Sequence, residues 1–127
     1  MQDFSGKVVV VTGAAGNLGR AVARAFAELG AAIAMLDLDQ QGIEAAMREL
    51  PEHSNAKAFT VNLLESSSVD ATIGAVVEHF GRIDVLANIA GGFTMGPTLQ
   101  DTDDKPWEFM LNLNARSVFY TSRAVLP

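Results

Sequence analysis

Val8-Val9-Val10-Val11-Thr12-Gly13-Ala14-Ala15-Gly16-Asn17-Leu18-Gly19 passes from an apolar run into a turn punctuated by glycine. Four consecutive β-branched residues without polar alternation predict a strand buried on both faces, as in a parallel sheet. The strand spans residues 7–12 and stops at Gly13. Leu18, Val22, Ala25, Phe26 and Leu29 then recur at helical spacing, and Gly30 supplies a stop. Between the two, Gly13 permits a tight turn, Gly16 lets backbone approach an anion, and Gly19 lets the helix pack closely on the strand. The unpaired N–H groups at the helix start face that anion, and the helix dipole favours its charge. Glycines also mark ordinary strand-to-helix turns that hold no ligand. The position of these, after a β-branched strand and before an amphipathic helix, favours the binding turn. No lysine follows them where a P-loop would require one.

Working outward, residues 31–38 form a second apolar run that ends in Asp37-Leu38-Asp39. Asp37 lies eighteen residues after Gly19, at the end of this second strand. A carboxylate there accepts hydrogen bonds from adenosine ribose hydroxyls and repels a 2′-phosphate. Leu38 occupies the place where an arginine would neutralise that phosphate, so NAD is expected over NADP. Either aspartate could instead cap the next helix. Asp39 fits that role, which leaves Asp37 for the ribose.

The remaining pattern repeats strand and helix. A helix is expected over 40–50, closed by Pro51, then a strand over 56–61 and a helix over 66–80. The last of these carries Val69, Ile73, Val76, Val77 and Phe80 on its inner face, serines able to cap its start, and Gly81 at its end. A fourth strand over 83–89 leads into Ala90-Gly91-Gly92 and a polar loop; residues 106–126 read as helix with a break near 112–114. The expected fold is therefore α/β, a doubly wound, Rossmann-like parallel sheet of about four strands with helices on both faces. Residues 1–127 read as the N-terminal part of one dinucleotide-binding domain, without a second domain.

Composition narrows the function classes. Hydrophobic residues make up 49% of the 127 residues and charged ones 19%, enough for a real core. A net charge of −6 and the lack of any Lys/Arg run speak against nucleic-acid binding. Cysteine is absent and only His53 and His79 are present, so no metal site is expected. No apolar run suggests a membrane span, and the start lacks a signal-peptide pattern, so a cytoplasmic protein is expected.

With these motifs in order, the sequence resembles the N-terminal half of a short-chain dehydrogenase/reductase. Thr12-Gly13 through Gly19 resembles the family's Thr-Gly-x-x-x-Gly-x-Gly turn, with Asn17 at the usual middle glycine and Gly16 one position early. Asn62-Leu63 resembles the family's Asp-Leu/Val pair, which implies a hold on the adenine amino group. By its chemistry alone, Asn62 is equally a polar residue at a strand end. Asn88-Ile89-Ala90-Gly91 resembles Asn-Asn-Ala-Gly, with Ile89 departing from the second asparagine. The resemblance implies that Asn88 steadies the sheet beside the cofactor and that Ala90 and Gly91 lie against the nicotinamide ribose. It also places the family's helix asparagine on Asn114, where the implied task is to distort the helix and hold a water in a proton relay. The implied cofactor residues are thus Thr12, Gly13, Gly16, Asn17, Leu18, Gly19, Asp37, Leu38, Asn62, Leu63, Asn88, Ala90 and Gly91.

The implied reaction is hydride transfer between nicotinamide and a carbonyl or alcohol carbon of a small-molecule substrate. It needs a tyrosine, a lysine four residues later that lowers the phenol's pKa from about 10, and a serine. The one tyrosine is Tyr120, four residues before Ala124, and the lysines are Lys7, Lys57 and Lys105. Tyr120 is expected to be a core or interface residue, and Ser117 and Ser122 have no catalytic reading. The chain is accordingly expected to be an incomplete product, inactive alone and paired as a homo-oligomer through its last helix or an exposed sheet edge. The loop of Gly92, Phe93, Thr94 and Met95 is placed to touch substrate. The competing readings are a non-catalytic dinucleotide-binding or interaction module and, more weakly, a methyltransferase-type fold. Thr12-Gly13, Asn88-Ile89-Ala90-Gly91 and Asn114 favour the dehydrogenase.

Overall fold

The protein is described by a computed structural model covering residues 3–92 and 97–126. Phe93, Thr94 and Met95, expected beside substrate, lie outside the described residues. Val8–Thr12 forms β1, and all five of its residues are buried. Asn17–Glu28 forms α1, Ala32–Asp37 β2, Gln40–Met47 α2, Ala56–Thr60 β3, Ser66–Phe80 α3 and Val85–Ala87 β4. A 3-10 turn at Leu99–Asp101 leads into α4 (Asp104–Leu111) and α5 (Ser117–Val125), which are joined by a π-helical segment at Asn112–Arg116.

The strands are parallel and ordered β3-β2-β1-β4. Alternation along the strands sorts their side chains between two layers. Val9, Val11, Ile33 and Met35 meet Ala23 of α1 and Ile43 and Ala46 of α2. On the other face, Val10, Ala34 and Leu36 meet Val69, Ile73 and Val76 of α3, with Tyr120, Ala124 and Val125 of α5 packed against them. Burial of each such Val, Ile or Leu side chain contributes roughly 1.5–3 kcal/mol, so the two layers hold the sheet without any crosslink. Asp84 sets the start of β4. Its carboxylate accepts the Val8 N–H at 2.9 Å and pairs in bidentate fashion with one edge of the Arg82 guanidinium, through Nε and Nη2.

Several local expectations need correction. The buried face of α1 runs through Gly19 and Ala23, with Val22 and Phe26 beside them, whereas Leu18 is 63% exposed and Ala25 faces out. Helix α2 ends at Met47, ahead of Pro51. No serine caps α3; its N-cap is Glu65, and the Ser68 hydroxyl instead accepts the Asn62 N–H at 3.0 Å. Val77 is 45% exposed rather than inward. Strand β4 pairs over three residues only, because the chain leaves the ladder at Asn88 to meet α5. The predicted break in the last helix is the π-helical segment.

Candidate functional site

The order of the strands reverses between β1 and β4, and a cleft of about 450 Å³ opens beyond their carboxyl ends, the usual ligand position in open α/β sheets. The turn after β1 forms its floor. Gly13 has φ +65°, and a Cβ on it would lie 2.8 Å from Ala90 Cα, so the turn can cross the end of β4 only without a side chain. A Cβ on Gly19 would lie 2.1 Å from the Gly13 carbonyl oxygen. Gly19 therefore lets α1 approach the turn itself rather than the strand.

The turn directs its N–H groups in two ways. Those of Ala14, Ala15 and Gly16 point inward, to the Leu36 carbonyl (3.1 Å), the Asp37 carboxylate (3.0 Å) and the Gly13 carbonyl (3.1 Å). Gly16 is the N-cap of α1 and brings no side chain to its first turn, so the N–H groups of Asn17, Leu18 and Gly19 are left for an anion, while Arg20 N–H meets the Gly16 carbonyl.

Asp37 stands at the end of β2 beside this turn. One carboxylate oxygen accepts Ala15 N–H and the other accepts Asp39 N–H at 3.1 Å. Each oxygen keeps a further lone pair for an incoming hydroxyl. Asp39 caps α2 through Gly42 N–H at 3.1 Å.

Of the residues expected from the sequence, Gly13, Gly16, Asn17, Leu18, Gly19, Asp37, Leu38, Asn62, Leu63, Ala90 and Gly91 line the cleft. Asn62 Oδ1 accepts Leu64 N–H at 3.0 Å, which is the strand-end role, and it too retains a lone pair. Three expected residues stand behind the cleft. The Thr12 hydroxyl, 1% exposed, accepts the N–H groups of Ile89 and Ala90 at 3.0 Å each, tying β4 to β1. Asn88 accepts from the Thr121 hydroxyl at 2.7 Å and so anchors α5 to the sheet. Asn114 lies in the π-helical segment. Its amide oxygen accepts Gly92 N–H at 3.0 Å, while its nitrogen donates to the carbonyls of Gly92 (3.0 Å) and Met110 (2.9 Å).

Val61, Leu64, Ile89, Phe109 and Leu113 also line the cleft and were not singled out. Phe109 and Leu113 sit four residues apart on one helical face, a spacing that signals a shared surface but not what it faces. Tyr120 packs against the core layer formed with α3 and does not line the cleft. Among the described residues no group of acidic or histidine side chains is placed to hold a metal, and no helix is long and apolar enough to cross a membrane.

Comparison with known proteins gives this geometry a family. The short chain dehydrogenase family model matches residues 7–127, and the chain belongs to that family of oxidoreductases. D-threitol dehydrogenase of Mycolicibacterium smegmatis is 38% identical over 126 residues, covering 97% of this chain and 48% of the relative. Two solved structures share the fold closely. A metagenomic short-chain oxidoreductase in complex with NADP is 31% identical with a TM-score of 0.93, covering 99% of this chain and 57% of that one. NAD+-bound xylitol dehydrogenase is 35% identical with a TM-score of 0.90, covering 98% and 48%. The chain spans about half the length of the curated relatives it matches.

Proposed function

We propose that the cleft binds a nicotinamide dinucleotide, NAD in preference to NADP, as the cofactor-holding part of a short-chain oxidoreductase. The observation that carries the reading is Asp37 at the rim with Leu38 beside it and no Lys or Arg among the described lining residues. The two structural neighbours were solved with NADP and with NAD+, so likeness alone does not choose between them. Asp37 supports NAD, because a carboxylate there would accept ribose hydroxyls and repel a 2′-phosphate. When bound, the nicotinamide supplies the site that gives or takes a hydride. The residues of this chain position it. The first N–H groups of α1 hold the pyrophosphate, Asp37 the adenosine ribose, and Asn62 the adenine. Ala90 and Gly91 supply the small surface at the nicotinamide ribose, and Asn114 fixes the backbone next to them.

The substrate would be a small carbonyl or alcohol compound. Turnover is not expected from these 127 residues, since Tyr120 is followed at the fourth position by Ala124 rather than lysine. A cytoplasmic setting and self-association through the last helix or the β4 edge belong to the same proposal. Exposed Phe119 and Leu126 support the second part. The test is an amide chemical-shift map on adding NADH. Shifts are expected at Gly13, Gly16 to Gly19, Leu38, Asn62, Ala90 and Gly91. Shifts confined to another surface, such as the open side of β4, would overturn the reading.

A further inference from the structure

An anion held by backbone N–H groups is held only as well as the turn keeps its shape, and a turn rich in glycine does not keep its shape alone. Here two consecutive peptide planes are pinned from outside. The plane before Ala15 is fixed by its N–H on Asp37. The plane after Ala15 is fixed at one end by Gly16 N–H on the Gly13 carbonyl, and at the other by the Arg20 Nε–H donating to the Ala15 carbonyl at 2.9 Å. Arg20 is anchored in turn by Glu49 just beyond α2, at 3.0 Å. The Ala15 methyl also seats against Gly42 of α2, where an added Cβ would lie 2.8 Å from it.

We infer that Arg20 is a positioning residue for dinucleotide binding: with Glu49 it clamps the Ala15 peptide, so that the turn presents its free N–H groups in register. The inference rests on the reading that this turn binds a pyrophosphate. Arg20 is not a phosphate ligand in this arrangement. Its Nε is committed to Ala15 and its Nη1 to Glu49, which offsets its charge, and it does not line the cleft. Charge-assisted hydrogen bonds of this kind are the strong ones, and this one acts on the loop rather than the ligand.

The experiment compares ADP-ribose, which carries the pyrophosphate, with adenosine, which does not, on the wild-type protein and the variants Arg20→Met, Arg20→Lys and Glu49→Gln. Arg20→Met is expected to weaken ADP-ribose about tenfold, a loss near 1.4 kcal/mol, and to leave adenosine within about twofold. Arg20→Lys, which cannot address both partners with one planar head, is expected to lose about threefold, and Glu49→Gln about twofold, with the same selectivity. Equal losses for both ligands would reduce Arg20 to a structural role and overturn the inference. So would unchanged ADP-ribose affinity, or a loss that vanishes at high salt as a direct phosphate contact would. If Arg20→Met fails to fold, the selectivity of Arg20→Lys decides. Failure of the wild type to bind ADP-ribose would instead remove the proposed function itself.

Discussion

The Thr12 hydroxyl accepts two backbone N–H groups at the end of the central strand, in a position closed to water. Thr12→Val keeps the shape and removes the acceptor, which takes away the Ala90 N–H partner and leaves Ile89 N–H only the Ala87 carbonyl at 3.1 Å. A buried unsatisfied donor costs roughly 1–3 kcal/mol, so a loss of about 1–3 kcal/mol is expected in chemical denaturation, with Thr12→Ser close to wild type. A Val variant as stable as the wild type would show that the link carries no weight. Thr12 also shows what a sequence hides. Its place in the Thr-Gly motif marks it for the site, yet its work is to join β1 to β4, and that partner lies 77 residues away. The place of Asp37 at the cleft was legible from its spacing. Its hold on Ala15 was not, because it arises only when the turn folds back onto the end of β2, and neither was the hold by Arg20, which depends on the side chain turning back along the helix start.

Elements with a strong apolar period were read nearly to the residue. Helix α3 keeps its expected bounds because Val69, Ile73 and Val76 fill one face and Gly81, at φ +85°, ends it. Helix α1 was rotated in the reading, since the contact of Gly19 with Gly13 fixes its azimuth and turns Leu18 toward the cleft. No apolar period reports such a contact. Strand β4 was read too long because pairing with β1, not apolar character, sets its ends. Asp84 holds its start, and the Arg82 guanidinium, with the Val8 N–H, keeps that carboxyl below its ordinary value of 3.8. Since the folded value lies below the unfolded one, this contribution is present in full above the ordinary value and lost as pH falls through the lowered one. Asp84→Asn should therefore lower the melting temperature at pH 7 and flatten its fall as the pH drops below the ordinary carboxylate value. A variant with the wild-type acid profile would contradict this.

At the scale of the whole molecule, a four-stranded parallel sheet with helices on both faces places the glycine turn, Asp37, Asn62 and Ala90-Gly91 around one cleft at the reversal of strand order. The family was legible because its motifs fall at strand ends, where this topology gathers them. The substrate was not, since specificity in such folds comes from loops beyond the strands, and the chain spans about half of its curated relatives. In the function proposed for it, this cleft selects NAD through Asp37. Calorimetric titration of the protein with NADH and with NADPH tests it most directly. NADH is expected to bind at least about tenfold more tightly, the equivalent of one unfavourable charge contact of about 1.4 kcal/mol. Equal affinities, or a preference for NADPH, would contradict it.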